Sequence, residues 1–369
     1  MNYDDFLNHK RIRHADSGII VSAGDVHSAL FPFQRDITVW ALRKGRAAIF
    51  ADTGLGKTFM QLEWARLLGV PTLIIAPLSV ARQTVRESHK IGVDVRYVRS
   101  QADVAGDGIY VTNYEMVEKF TPSVFGAVVL DESSILKSLD GKTRQALTAM
   151  FANTPYRLAC TATPAPNDRS EIGNHAEFLG VCTMAEMLAM FFIHANRVID
   201  SEVNGVIFQR KLGNDHGQEW RLKHNAKDAF YGWMSSWAMS IRMPSDLGYD
   251  DNGYVLPALT ITPHWLDFDY TPDDSLVFTG LKGVTDRRKI RRNTATGRID
   301  FAADMVNQST EQWIVWTDLN DESSAMTAAI PGAVEVKGSD DPERKAEAIE
   351  AFQDGRFRVL VTKPKIAGF

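Results

Sequence analysis

Residues 48–65 read AIFADTGLGKTFMQLEWA. An apolar, β-rich run comes first, then a short glycine-bearing loop, then a helix-forming stretch from about Lys57. Gly54 and Gly56 let the backbone turn tightly and aim N–H groups at phosphate oxygens. The helix start adds the positive end of its dipole. In such a loop Lys57 reaches the β- and γ-phosphates of ATP and Thr58 ligates Mg²⁺, with Thr53, Gly54 and Gly56 completing the cradle.

Outward from this loop the text alternates. β-rich runs stand at 47–50, 72–76, 95–98, 108–112, 127–131 and 157–161, and several are separated by helical stretches such as KTRQALTAMFAN. Apolar strands bounded by helices predict a parallel sheet covered on both faces. The run ending at 131 opens VVLDESSILKS (128–138). At the C-terminal edge of a parallel sheet, Asp131 would hold Mg²⁺ through water and Glu132 would orient and deprotonate an attacking water. Alone, the same letters read equally as a helix N-cap; the phosphate loop upstream favours the metal site. The second copy, IVWTDLNDESSAM (314–326), sets Asp318-Leu319-Asn320 between strand and acids. It reads as a helix start capped by Asn320 or Asp321.

From about 168 to 297 the alternation is lost. EFLGVCTMAEMLAMFF and AFYGWMSSWAMSI read as amphipathic helical pieces, with Phe230, Trp233 and Trp237 at core spacing rather than as a stacking platform. Residues 282–298 carry seven Lys/Arg against one Asp, which suits a DNA-facing linker and a solvated one equally. DLGYDD (246–251) lacks the spacing of a calcium loop and reads as a surface loop. The scattered histidines, His175, His194, His216, His224 and His264 among them, lack ligand spacing. Alternation resumes near 299 with WIVWT, AVEVK and RVLVT. The expected organisation is an α/β fold of two RecA-like P-loop lobes with parallel sheets, the second incomplete, plus a mainly helical insertion. Its segments are 1–30, 31–167 (ATP-binding lobe), 168–297 (insertion and linker) and 298–369 (second lobe).

The 369 residues are 44% hydrophobic and 24% charged with net charge −5, so no global basic signal points to nucleic acid; contact would come from local patches. Two cysteines are too few for a metal cluster and suit a reduced compartment. The N-terminus lacks the apolar core of a signal peptide, and the most apolar helix-like run is shorter than a membrane span. The expectation is a cytoplasmic protein with no membrane partner.

Taken in order, Phe31-Pro-Phe-Gln34, the loop in its A-x-x-G-x-G-K-T form, LIIAPLSV (73–80), VTNYE (111–115), LDESSILKS, RLACTATPAPND and the closing GSDDPERKAEAIEAFQDGRFRVLVTKPKIAGF resemble the Swi/Snf-type branch of superfamily 2 helicases and DNA translocases, and look like the compact Snf-like helicases of bacteriophages and prophages. The resemblance covers about 30–180 and, less closely, 300–369. It implies that Gln34 reads the adenine edge with Phe31 or Arg35 nearby, that Thr161 and Thr163 couple the ATP site to DNA, and that Pro77, Leu78, Ser79, Thr112, Asn113 and Tyr114 touch a DNA backbone. Lys363 opens the motif that contacts both DNA and nucleotide. ATP and Mg²⁺ are the implied cofactors. DNA is the implied partner, duplex rather than single-stranded; RNA unwinding and a non-hydrolysing nucleotide-gated adaptor are the alternatives. If phage-encoded, the protein would act in the bacterial host cytoplasm. Two departures stand out. DESS replaces DEAH or DEAD, so Ser134 puts in doubt the usual relay to the TAT motif. The arginines that the family supplies to the γ-phosphate would lie beyond Phe369, so residues 1–369 are expected to bind ATP and hydrolyse it poorly.

Overall fold

The computed structural model describes residues 14–137, 141–194, 198–203, 206–211, 220–267 and 294–367. The chain divides into two compact units, residues 1–256 and 257–369. The first is built on seven parallel strands: β1 (Arg46–Ala51), β2 (Thr72–Ala76), β3 (Val95–Tyr97), β4 (Ile109–Asn113), β5 (Ala127–Asp131), β6 (Tyr156–Cys160) and, further along the chain, Ala238–Ile241. Their spatial order is 238–241, β1, β6, β5, β2, β4, β3.

The apolar runs are continuous because both faces are buried, and the two-residue period of a strand divides them. Ala47, Ile49, Ala51, Ile74, Val111, Val129 and Leu158 face a core completed by the helices α1 (Pro32–Lys44), α2 (Lys57–Leu68) and α3 (Leu78–Ser88). Ala48, Phe50, Leu73, Ile75, Tyr110, Val128, Leu130 and Ala159 face the other core. That second core is closed by α4 (Lys142–Met150), α5 (Ile172–Leu179), α6 (Met184–Phe191) and α7 (Lys227–Met234).

The stretch read as a mainly helical insertion is therefore partly integral to the first sheet. AFYGWMSSWAMSI is not one helix: α7 ends at Met234, a turn follows, and Ala238–Ile241 (β11 in chain order) pairs with β1. A four-residue strand inside an aromatic run carries no readable period of its own, and only the exposed edge of β1 selects it. Phe230, Trp233 and Trp237 are buried in the core, as their spacing predicts. Two antiparallel pairs, β7 (Phe192–His194) with β10 (Trp220–Leu222) and β8 (Val198–Val203) with β9 (Val206–Lys211), lie between α6 and α7 in sequence.

The second unit carries a three-stranded parallel sheet, β12 (Trp313–Trp316), β14 (Val359–Thr362) and β13 (Val334–Glu335) in that spatial order. Its core joins Val359 and Val361 to α8 (Ala295–Asn307) and α9 (Asn320–Ala329); α10 (Pro342–Gln353) and the short α11 (Pro364–Ala367) complete the described elements. The second DESS occupies the first turn of α9, as a helix start should, but the cap differs from expectation. The helix begins at Asn320, and Glu322 accepts from the Leu319 backbone N–H and pairs with Arg298. Most of the basic run 282–298 lies outside the described residues. Among the described residues no helix is long and apolar enough to cross a membrane.

Candidate nucleotide site

β1, β6 and β5 are neighbours, so the loops that follow them meet at one sheet edge. The first carries the glycines. Gly54 and Gly56 have φ of +85° and +79°, and Gly56 is the left-handed residue from which α2 starts. The left-handed backbone favours glycine at Gly56, and a Cβ there would lie 2.3 Å from the Gln34 amide nitrogen and displace that side chain. Gln34 is 3% exposed; its Nε2 donates to Leu55 O (2.9 Å) and its Oε1 accepts from the Phe31 N–H (2.9 Å). It thus braces the phosphate loop from α1. Arg35 donates to the Leu30 and Ser28 carbonyls and holds the segment before α1. The Lys57 ammonium donates to the Ala51 and Asp52 carbonyls at 3.0 and 3.3 Å, across the inside of the loop. Thr53 is exposed and Thr58 half-buried.

Asp131 ends β5 and is buried. Its Oδ1 accepts from Gln61 Nε2 (2.8 Å) and from the Glu132 N–H (3.1 Å). Burial pushes its carboxyl up to about 6; the Gln61 hydrogen bond opposes this, while the Glu132 charge adds to it. Gln61 lies one helical turn after Lys57 and Thr58, so one face of α2 presents all three. The Thr58 hydroxyl and the Asp131 carboxylate are hard oxygen donors, and burial holds the Asp131 charge at a cost. That donor set suits Mg²⁺.

Glu132 is the one non-glycine residue with positive φ among those described (+55°). Such a backbone costs about 1–2 kcal/mol and turns the side chain off the strand line. Its Oε1 accepts from Thr161 Oγ1 (2.7 Å) and from Ser134 Oγ (2.9 Å). Thr161 Oγ1 in turn accepts from the Thr163 N–H (3.0 Å). The contact placed in doubt by the DESS letters is made in another way: Glu132 itself hydrogen-bonds the TAT motif, and Ser134 shares the same carboxylate oxygen.

No protein-family model matches this chain, and no curated protein does. Solved structures do. The Sulfolobus solfataricus SWI2/SNF2 ATPase core in complex with dsDNA matches 94% of this chain and 80% of its own at 14% identity (TM-score 0.49). The UvsW helicase from bacteriophage T4 matches 50% of this chain and 66% of its own at 15% identity (TM-score 0.34). A second T4 UvsW structure matches 99% and 62% at 12% identity (TM-score 0.31). The functional reading rests on the site's own residues.

Gln61, Asn174 and His175 were not singled out for this site by the sequence. Asn174 Nδ2 donates to Leu136 O (2.7 Å), and His175 Nε2 lies 3.1 Å from Ser133 Oγ, so α5 pins the turn that follows Glu132. Burial lowers the His175 imidazole to about 4. Gln61 had one signal, a lone amide one turn from Lys57; α5 had none. The residues expected to meet DNA divide. Pro77, Leu78 and Ser79 start α3 half-buried, whereas Thr112 and Asn113 face inward. Asn113 accepts from the Tyr97 hydroxyl (3.1 Å) and donates to Glu115, and the Tyr114 hydroxyl donates to the Asp131 backbone carbonyl (2.8 Å). As folded here, VTNYE supports the acidic strand end. Lys363 follows β14, in the second unit, half-buried.

Proposed function

We propose that this chain is an ATP-dependent DNA helicase or translocase that couples hydrolysis to movement on DNA, duplex rather than single-stranded. The observation that carries the reading is Glu132, turned off the strand by its positive φ and held by Thr161 and Ser134 beside a glycine loop bearing Lys57. Both hydroxyls converge on Oε1, and Oε2 is the oxygen they leave to accept a proton from a water attacking the γ-phosphorus. As that water adds, the bond from the γ-phosphorus to the bridging oxygen breaks and ADP departs. Lys57 would exchange its loop carbonyls for phosphate oxygens, and the loop N–H groups would hold the β-phosphate. Thr58 and Asp131 would hold Mg²⁺, which supplies charge neutralisation on the phosphates. Departure of the γ-phosphate changes what Glu132 faces, and Thr161 carries that change to Thr163. DNA as the track rests on the ordered motif series, not on a basic surface.

The test is ATP turnover by the full-length protein with duplex DNA, single-stranded DNA and RNA in parallel. Stimulation by duplex DNA above the others is expected. Equal or stronger stimulation by RNA would favour RNA unwinding, and ATP binding without turnover on any of them would favour a nucleotide-gated adaptor.

A further inference from the structure

The segment that leads out of the first unit is tied to both ends of the nucleotide site. At one end, the Asp52 N–H of the phosphate loop donates to Ile241 O (3.0 Å), where β11 ends. From there a strap runs to Tyr254, two residues before the boundary between the units. The acids that could suggest a cation site fold this strap instead. Asp246 Oδ2 accepts from the Arg242 and Met243 N–H groups, and Asp251 Oδ1 accepts from the Ser245 N–H. A turn closed by Tyr254 N–H to Asp251 O (2.9 Å), with Gly253 at φ +84°, delivers the Tyr254 ring.

That ring stands edge-on to two aromatics of the Phe31-Pro-Phe-Gln34 stretch. Its centroid lies 5.9 Å from Phe31 at 80° and 5.4 Å from Phe33 at 85°. Tyr249 adds a second tie, its hydroxyl donating to the Asp36 carboxylate on α1. Phe33 is buried, but Phe31 is 55% exposed. Phe31 also gives its backbone N–H to Gln34, the residue that braces the phosphate loop. A large aromatic left open beside such a loop, yet fixed in orientation from behind, is suited to stack a flat heterocycle.

We propose that Tyr254 is a positioning residue for the base of the bound nucleotide: it holds Phe31 as a wall for a purine and ties base recognition to the strap leading out of the first unit. This rests on the nucleotide reading above and adds a residue that no motif contains. Edge-to-face pairs of this kind contribute enough that Tyr254→Ala should weaken ATP binding about three- to tenfold. The phosphate contacts do not involve Tyr254, so the affinity for inorganic triphosphate should not change. Tyr254→Phe keeps the ring and should keep both affinities.

The experiment is equilibrium binding of ATP and of inorganic triphosphate, each with Mg²⁺, to wild type, Tyr254→Ala and Tyr254→Phe. Selective loss of ATP affinity in the alanine variant, rescued by phenylalanine, supports the proposal. Unchanged ATP affinity in Tyr254→Ala overturns it. So does equal loss for both ligands, which would mark a general structural role, and so does a phenylalanine variant as weak as alanine. Failure of the wild type to bind ATP overturns the nucleotide reading itself, whereas the first three outcomes leave that reading standing.

Discussion

Replacing Glu132 by glutamine should separate the chemistry of this site from its architecture. The carboxylate Oε1 accepts from Thr161 and Ser134 at 2.7 and 2.9 Å, and an amide oxygen in the same place accepts from both. Each bond changes from charge-assisted to neutral, a loss of about 1 kcal/mol apiece. Against this, the buried Asp131 is relieved of a like charge that helps push its carboxyl up. Net stability should therefore change by less than about 2 kcal/mol. The proton acceptor is nevertheless gone, and a positioned general base is worth about 10²–10⁴ in rate. The assay, on the full-length protein, combines steady-state ATP turnover with saturating duplex DNA, ATP affinity with Mg²⁺, and urea unfolding. Turnover should fall by that factor while affinity and unfolding midpoint stay near wild type. A residual rate within about threefold of wild type, under 1 kcal/mol of barrier, would refute the assignment. A loss of ATP affinity in proportion to turnover would instead make Glu132 a ground-state binding group.

Two buried groups of the first unit, Asp131 at the end of β5 and His175 on α5, should pull stability in opposite directions with pH. His175, lowered from 6.5 to about 4, contributes stability that is lost as pH falls through that range; Asp131, raised from 3.8 to about 6, contributes stability that is lost as pH rises through its own. Against wild type, Asp131→Asn should lose stability more steeply below pH 6 and His175→Gln should gain it, each by up to roughly 1.4 kcal/mol per pH unit; identical unfolding-versus-pH curves for all three would refute the assignment. Gln61→Leu removes a donor from Asp131 Oδ1 and should shrink the Mg²⁺-dependent part of ATP affinity about tenfold, on the scale of a hydrogen bond to a charged group; titrations in Mg²⁺ and in EDTA check this, and an undiminished Mg²⁺ effect would count against it. Glu322→Gln, in the second DESS, loses the Arg298 pair and weakens the link to Leu319. It should cost about 1 kcal/mol of stability with ATP turnover intact, and lost turnover at preserved stability would overturn its structural reading.

Much of this protein follows from local text. The glycine loop, the six strands from β1 to β6 and the distinction between the two DESS copies are legible in sequence. A phosphate loop is a contiguous device, a doubly buried strand is a contiguous apolar run, and the distance from strand end to acid is a count along the chain. Tertiary structure decided what depends on partners remote in sequence. β11 is a strand because β1 has an open edge, whatever the helical look of its neighbourhood. Gln34 is a brace because its amide reaches Leu55 O at 2.9 Å from α1, and Thr112 and Asn113 are interior because β4 is paired on both sides, by β2 and β3. Glu132 takes a left-handed backbone that no residue type announces, and with it finds Thr161 across the neighbouring strand. The chemistry was written in which residues are present; which of them act together was set by a parallel sheet bringing distant strand ends to one edge.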